Sequence, residues 1–293
     1  MNKPHPRKII IGSLIFLLLI SFVVLFSVLK HSSYFNKTNE FTYYDKSAFE
    51  IPKDIMPKPR EATSTAKFKI PILLYHYVEN VADPNDTTRK KLDINPYTFE
   101  EQLKTLKEAF YTTLFIREIP AIVKGKNPPP VKPIALTFDD GYRDFYTVAY
   151  PILQKYQMKA TIYVISGFLD WPNYLTKKQL AEIAASGLVE IASHTVHHAT
   201  LKNANEQVIT KELVESKKSL EQISGETVTD FAYPYGSFND KAATLVKDAG
   251  YQTAASVVSA SFQSANNLYF LYRLRPGGQT GKSLLDWLEG LKK

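Results

Sequence analysis

Apolar runs of strand length alternate with amphipathic segments of helix length between residues 67 and 275. Several of these runs are apolar throughout, which is typical of strands covered on both faces of a parallel sheet. The predicted strands span residues 70–78, 134–138, 160–165, 188–192, 230–233, 253–258 and 268–274. Seven strands separated by helices predict an α/β fold, a distorted and incomplete (β/α)7-type barrel, with an open doubly wound sheet as the alternative.

Two of the predicted helices begin with a capping box, in which a threonine is followed three residues later by a glutamate or glutamine. These pairs are Thr98 with Glu101 and Thr176 with Gln179. Further helices are predicted near residues 206–223, 239–250 and 283–291.

An uncharged apolar run of 21 residues, 9–29, lies near the amino terminus. At about 1.5 Å per residue, a helix of this length spans roughly 30 Å of hydrocarbon. Because Lys3, Arg7 and Lys8 precede the run, the positive-inside rule predicts a cytoplasmic tail over residues 1–8 and a transmembrane anchor over 9–29. The polar residues 30–66 are then an extracytoplasmic stalk, and residues 67–293 are a domain held outside the cell membrane. A cleaved signal peptide is the alternative.

The charge and the cysteine content exclude several kinds of site. The net charge is +7 at pH 7, and three of the positive charges precede the apolar run, so the rest of the chain is too weakly basic to predict nucleic-acid binding. The chain has no cysteine, which excludes disulfides, thiolate metal sites and a cysteine nucleophile. A metal would need nitrogen and oxygen ligands. We expect a monomer.

Two adjacent carboxylates, Asp139 and Asp140, directly follow the predicted strand 134–138. Adjacent side chains diverge as they leave a strand, so one carboxylate can bind a metal while the other acts as a general base. Gly141 permits a sharp turn there. Taken alone, an Asp-Asp-Gly sequence is more often a turn or a helix cap.

Three of the six histidines follow the predicted strand 188–192. His194 and His198 are four residues apart, a spacing that stacks two imidazoles on one face of a helical turn. With Asp140 they form a set of two imidazoles and one carboxylate, which suits zinc or another divalent transition metal and leaves positions open for water and substrate. His197 is expected to point elsewhere.

Weaker signals lie at two other strands. Pro234 and Tyr235 close the predicted strand 230–233, where the proline fixes the backbone and the Tyr235 amide could point toward a developing oxyanion. Most such sequences are only turns. His76 lies near the end of the first strand, and a lone histidine on an apolar strand is more often a core residue bonded to the backbone.

The Thr-Phe-Asp-Asp-Gly, His-Thr-Val-His-His and Tyr-Pro-Tyr-Gly segments, in this order, resemble the hallmark motifs of the polysaccharide deacetylase family, whose members share the NodB homology domain (carbohydrate esterase family 4). The resemblance covers about residues 67–275. It implies Asp139 as the catalytic base and Asp140, His194 and His198 as metal ligands. It also implies that the Tyr235 amide, following Pro234, helps to hold the oxyanion.

Two departures from the family pattern bear on the mechanism. Phe231 and Ala232 occupy the region where the third motif usually begins with an arginine, and no fourth motif is evident downstream. No histidine follows His198, so the Leu-x-His motif of the general acid is missing there, whereas the Leu-Tyr-His sequence ending at His76 has this pattern. Such a permuted order resembles the deacetylases of exported poly-β-1,6-N-acetylglucosamine and implies His76 as the general acid.

The resemblance therefore implies a metal-dependent hydrolase, with zinc as the expected ion. It would remove N-acetyl groups from an N-acetylglucosamine-containing cell-surface or exported polysaccharide and release acetate. A catalytically silent carbohydrate-binding scaffold and an O-acetyl esterase with the same site are the alternatives. The sequence leaves open whether the polymer is peptidoglycan, a biofilm exopolysaccharide or chitin oligomers.

Overall fold

The computed structural model describes residues 66–83 and 85–291. The predicted tail 1–8, the predicted anchor 9–29 and all but the last residue of the predicted stalk 30–66 lie outside this part of the chain. Among the described residues, no helix combines the length and the apolar character that a membrane crossing requires.

The strands account for most of the apolar runs found in the sequence. They are β1 (Phe68–Lys69), β2 (Ile72–Tyr75), β3 (Tyr77–Val78), β4 (Asp93–Ile94), β5 (Thr112–Leu114), β6 (Pro133–Phe138), β7 (Ala160–Val164), β8 (Val189–Ser193), β9 (Asp230–Ala232), β10 (Thr253–Ala255) and β11 (Phe262–Gln263). The α-helices are α1 (Thr87–Leu92), α2 (Pro96–Glu108), α3 (Ile119–Val123), α4 (Tyr150–Tyr156), α5 (Lys177–Ala185), α6 (Glu206–Ser224), α7 (Asp240–Asp248) and α8 (Gly281–Gly290).

The main sheet has seven strands in the order β10-β9-β8-β7-β6-β2, with β5 also paired to β6. All of its pairings are parallel. The sheet curls into a half-barrel, and the predicted α/β architecture with a curled parallel sheet is confirmed.

The predicted strand 268–274 forms no continuous ladder. Instead, this segment lies between the two ends of the sheet: the Leu271 amide donates to the Ala254 carbonyl of β10, and the Leu274 amide donates to the Ile72 carbonyl of β2, both over 2.8 Å. It pairs with each strand only through isolated bridges. The segment therefore connects the first and last strands without becoming a strand itself.

Strand residues alternate between two apolar layers. In β7, Ile162 and Val164 point into the larger core between the sheet and the helices, whereas Tyr163 points into a smaller core with Ala192 and Ala232 of the neighbouring strands. This period of two is the geometry of a pleated strand with both faces buried. It leaves the carboxyl ends of the strands as the place where polar side chains converge.

One of the two predicted helix starts is confirmed. The Thr176 side chain caps α5 and forms a capping box with Gln179. The start at Thr98 is wrong, because α2 begins at Pro96 and is capped by the side chain of Asn95. Proline suits the first turn of a helix, where its missing N–H has no partner to lose.

Candidate active site

The predicted motifs meet at one edge of the sheet. Asp139 follows β6, His194 follows β8, and His76 follows β2. The Asp139 amide donates to the Tyr75 carbonyl over 3.0 Å, and the His194 amide donates to the Val164 carbonyl over 3.0 Å. Because the strands are parallel, these hydrogen bonds bring residues that are distant in sequence to the same carboxyl-end edge.

Asp140, His194 and His198 form a compact triad. The Nε2 atoms of His194 and His198 each lie 3.4 Å from Asp140 Oδ1, and one ligand atom from each of the three residues lies within 4.8 Å of the others. Tetrahedral zinc with bonds of about 2.0–2.2 Å places its ligand atoms roughly 3.3–3.5 Å apart. The spacing therefore fits a single divalent ion.

The imidazoles are oriented by their other nitrogens. His194 Nδ1 lies 2.7 Å from the Ala232 carbonyl, which can only accept, so this nitrogen carries the proton. His198 Nδ1 lies 3.2 Å from the Tyr235 hydroxyl. Both Nε2 atoms are thus directed at Asp140, as in metal sites where a second partner fixes the histidine ring.

The charge distribution of the triad also suits a cation. Asp140 Oδ1 is buried and has no hydrogen-bond partner within the described part of the chain. Burial lowers the pKa of His198 to about 4, so its ring is neutral at pH 7. Burial also acts to lower the pKa of His194, but the nearby carboxylates of Asp140 and Asp139 outweigh it and raise the pKa. A positive charge between these groups is therefore favourable.

The backbone of the cluster is strained. Asp140, Thr195, His198 and Tyr235 have left-handed φ angles of 74°, 70°, 57° and 59°. Such conformations cost about 1–3 kcal/mol each for residues other than glycine, and they concentrate at functional sites.

The second carboxylate of the pair, Asp139, forms a buried ion pair with Arg273. Arg273 Nη1 and Nη2 donate to the two carboxylate oxygens over 2.6 and 2.8 Å. Burial acts to raise the pKa of Asp139, but the guanidinium outweighs it and lowers the pKa. Arg273 thus pairs with the base in place of the arginine that is missing from the third motif. The sequence analysis did not identify Arg273.

His76 lies where the chain leaves the main sheet. The predicted strand 70–78 is interrupted at this residue: β2 ends at Tyr75, and β3 belongs to a separate two-stranded sheet with β4. Burial lowers the pKa of His76, while the charges of Asp140 and Asp139 act to raise it. His76 and Arg275 also line a cavity of about 70 Å³. The histidine is therefore close enough to the carboxylates to be influenced by their charge.

Of the remaining motif residues, Tyr235 lies beside the triad, whereas His197 does not. Pro234 is buried in the short turn Pro234–Gly236, and the Tyr235 ring centre lies 4.5 Å from that of His198. His197, as expected, points away from the triad: its side chain is 63% exposed and its Nδ1 lies 2.7 Å from Glu212 Oε1.

Comparisons with known proteins agree with this geometry. The family model for polysaccharide deacetylases matches residues 126–254. YxkH of Bacillus subtilis, named for the same family, is 31% identical over 225 residues, which cover 76% of this chain and 77% of YxkH. The chain belongs to the polysaccharide deacetylase family. This membership confirms the predicted activity class, hydrolytic deacetylation of polysaccharide.

Two further relatives of this deacetylase are informative. The poly-β-1,6-N-acetyl-D-glucosamine N-deacetylase of Staphylococcus aureus is 31% identical over 198 residues, covering 63% of this chain and 68% of that protein. Among solved structures, the Streptococcus pyogenes deacetylase PplD in complex with acetate is 34% identical, with a TM-score of 0.71 over 78% of this chain and 100% of PplD. The family match spans Asp139 to Tyr235 but not His76 or Arg273, which lie on either side of it.

Proposed function

We propose that this deacetylase removes N-acetyl groups from an exported polymer of N-acetylglucosamine and releases acetate. The observation that carries the proposal is the position of Asp139 beside the triad of Asp140, His194 and His198. A base next to a three-ligand metal site is the arrangement that metal-assisted amide hydrolysis requires.

Exported poly-β-1,6-N-acetylglucosamine is the substrate that two observations favour. The Staphylococcus aureus relative bears this substrate in its name. In addition, the Leu-Tyr-His sequence ending at His76 precedes the other motifs in the chain, which is the permuted order expected of that branch. Peptidoglycan remains the second candidate polymer.

In this mechanism Asp140, His194 and His198 would hold a divalent ion, for which we propose zinc. Such an ion supplies Lewis-acid polarisation of the acetamide carbonyl and lowers the pKa of water. The ligand set of two imidazoles and one carboxylate suits zinc but also other divalent transition metals.

Asp139 acts as the general base. Its carboxylate accepts a proton from the attacking water, and it is kept ionised and oriented by the two hydrogen bonds from Arg273. A buried carboxylate without that partner would have a raised pKa and would be protonated more readily.

Tyr235 and His76 act on the two ends of the amide. The Tyr235 backbone N–H donates to the oxygen on which negative charge develops, with Pro234 fixing the turn. His76 protonates the nitrogen of the departing sugar amine, so that acetate and the amine separate. The charges of Asp140 and Asp139 favour the protonated form of His76, whereas burial and the nearby Arg275 and Arg273 oppose it and lower its pKa.

We further propose that the protein acts as a monomer outside the cell membrane. Residues 9–29 would cross the membrane and residues 30–66 would act as a stalk. A polymer that cannot enter the cell requires its deacetylase on the outer side, which this arrangement provides.

The test is acetate release by the full-length chain, purified in mild detergent, from a panel of acetylated glycans. The panel contains poly-β-1,6-N-acetylglucosamine, peptidoglycan, chitin oligomers and an O-acetylated polymer. We expect the fastest release from the first substrate, loss of release on addition of chelator, and loss in Asp139→Asn. Faster release from the O-acetylated polymer would favour the esterase, and no release from any glycan with metal present would favour the silent scaffold.

A further inference from the structure

The loop that carries both histidine ligands has an unfavourable backbone conformation. Thr195 and His198 have left-handed φ angles of 70° and 57°. Threonine is branched at Cβ and is a genuine outlier there. The loop between β8 and α6 therefore needs contacts from outside itself to keep this shape.

Glu212 supplies such contacts from the first half of α6. Its Oε2 accepts hydrogen bonds from the backbone amides of Val196 and His197 over 2.8 and 2.9 Å. Its Oε1 lies 2.7 Å from His197 Nδ1. One carboxylate thus binds two consecutive amides and one side chain of the loop.

The position of Glu212 is itself fixed. The residue is 7% exposed, and α6 packs against β8 and α5. Hydrogen bonds to a charged acceptor are about twice as strong as neutral ones. Glu212 therefore connects a rigid helix to the segment between the two metal ligands.

The same loop is also held by the backbone around Gly167. The Gly167 amide donates to the Val196 carbonyl over 2.9 Å, and the Ser166 amide donates to the Thr195 carbonyl over 3.1 Å. A Cβ at Gly167 would lie 2.5 Å from the Val196 oxygen, so glycine is needed for this approach. The loop is therefore bound both by the backbone of residues 166–167 and by the Glu212 side chain.

We propose that Glu212 is a positioning residue that sets the metal affinity of the triad, an inference that rests on the proposed metal site. By holding Val196 and His197, it keeps His198 at the distance from His194 that a shared ion requires. This proposal also assigns a role to His197, the one histidine of the cluster that is not directed at Asp140. Its Nδ1 contacts the second carboxylate oxygen of Glu212.

The experiment measures zinc binding to the full-length chain by calorimetry, and the visible spectrum of bound Co²⁺, without substrate. Removing partners outside the ligand set typically weakens metal affinity by about 10–100-fold, and we expect this range for Glu212→Ala. Glu212→Gln retains one acceptor oxygen for the two amides but loses the charge, so a loss of about threefold to tenfold is expected. Both variants should change the Co²⁺ spectrum, because it reports ligand geometry.

Glu215→Ala is the matched control, since Glu215 is an exposed acid on the same helix; it should bind zinc like the wild type. Unchanged zinc affinity in a folded Glu212→Ala chain would overturn the proposal and leave Glu212 a merely structural residue. If that variant does not fold, Glu212→Gln decides, and wild-type affinity there overturns the proposal. A wild-type chain that binds neither ion would overturn the proposed metal site as well.

Discussion

The guanidinium of Arg273 donates to both carboxylate oxygens of Asp139, although the two residues are 134 positions apart in the sequence. Both side chains are almost fully buried. Arg273 Nε also donates to the Ser256 carbonyl over 2.8 Å, which fixes the plane of the guanidinium. The pair therefore orients Asp139 and keeps it ionised, two properties that a general base needs.

Replacing Arg273 should destabilise the protein as well as inactivate it. Arg273→Met leaves the Asp139 carboxylate buried without a partner, which typically costs about 3–5 kcal/mol of unfolding free energy. Denaturant unfolding measures this loss. Arg275→Met, at an exposed position two residues later, is the control and should cost less than about 1 kcal/mol. Equal losses in the two variants would contradict the special role of the ion pair.

The contrast between Arg273 and the strand-end motifs shows what the sequence could predict. Asp139 and His194 directly follow apolar runs, and the carboxyl ends of parallel strands meet at one edge, so their convergence follows from local pattern. Arg273 has no such signal, because it follows no strand end and its partner Asp139 is 134 positions away in the sequence. The available hint was a charged residue between Leu271 and Leu274 in an apolar run, which requires a buried partner.

Short elements were also missed for a physical reason. The strand β5, Thr112–Leu114, is too short to show a period, and it is defined only by its pairing with β6. The predicted strand 268–274 had the composition of a strand, but it fills the gap between the sheet's two ends and forms only single bridges. Composition predicts burial for residues 268–274, whereas the pairing of both segments depends on the rest of the fold.

Removing the metal should lower thermal stability. An ion present at 100 times its dissociation constant stabilises the native state by about 2.7 kcal/mol. For a domain of this size about 1 kcal/mol corresponds to roughly 2–4 °C, so chelation should lower the Tm by about 5–11 °C. Differential scanning calorimetry with and without chelator measures the shift. Asp140→Asn, which removes a proposed ligand, should have a Tm that chelator leaves unchanged; a shift as large as in the wild type would contradict the ligand assignment.

A second buried carboxylate cluster should make stability depend on pH. Glu190 accepts hydrogen bonds from Thr161 Oγ1 and the Ile116 amide over 2.6 and 2.8 Å, and Arg117 Nε lies 3.8 Å from its Oε1. Burial, and next the charge of Asp230, raise the pKa of Glu190 well above its usual value. A raised pKa means that the folded state retains a proton that the unfolded chain releases. The protonated Glu190 therefore contributes fully to the stability of the folded state at a pH below its pKa in the unfolded chain. This contribution is lost as the pH rises toward its pKa in the folded state.

Glu190→Gln mimics the protonated form and should remove this loss. The wild-type free energy of unfolding should fall as the pH rises above the usual glutamate pKa, by up to about 1.4 kcal/mol per pH unit, and the variant should show a flatter profile. Glu226→Gln is the control, because Glu226 contacts the same Arg117 at 3.1 Å but its side chain is 39% exposed. If the free energy of unfolding of Glu190→Gln depended on pH as it does in the wild type, the Glu190 carboxyl would not be the cause of that dependence.

His76 can be tested through the leaving group of the reaction. If it protonates the departing amine, His76→Ala should lower kcat on the polymer by about 10²–10⁴-fold, the usual contribution of general acid catalysis. A synthetic acetamide with a less basic leaving amine needs less proton donation, so the variant should lose far less activity on it. Asp139→Asn should lose activity on both substrates, because the water must be deprotonated in either case.

Zinc affinity measured by calorimetry should stay within about threefold of the wild type in His76→Ala, since His76 is outside the triad. Equal losses of His76→Ala on the two substrates would contradict the general-acid role and leave the histidine as a residue that shapes the cavity beside Arg275.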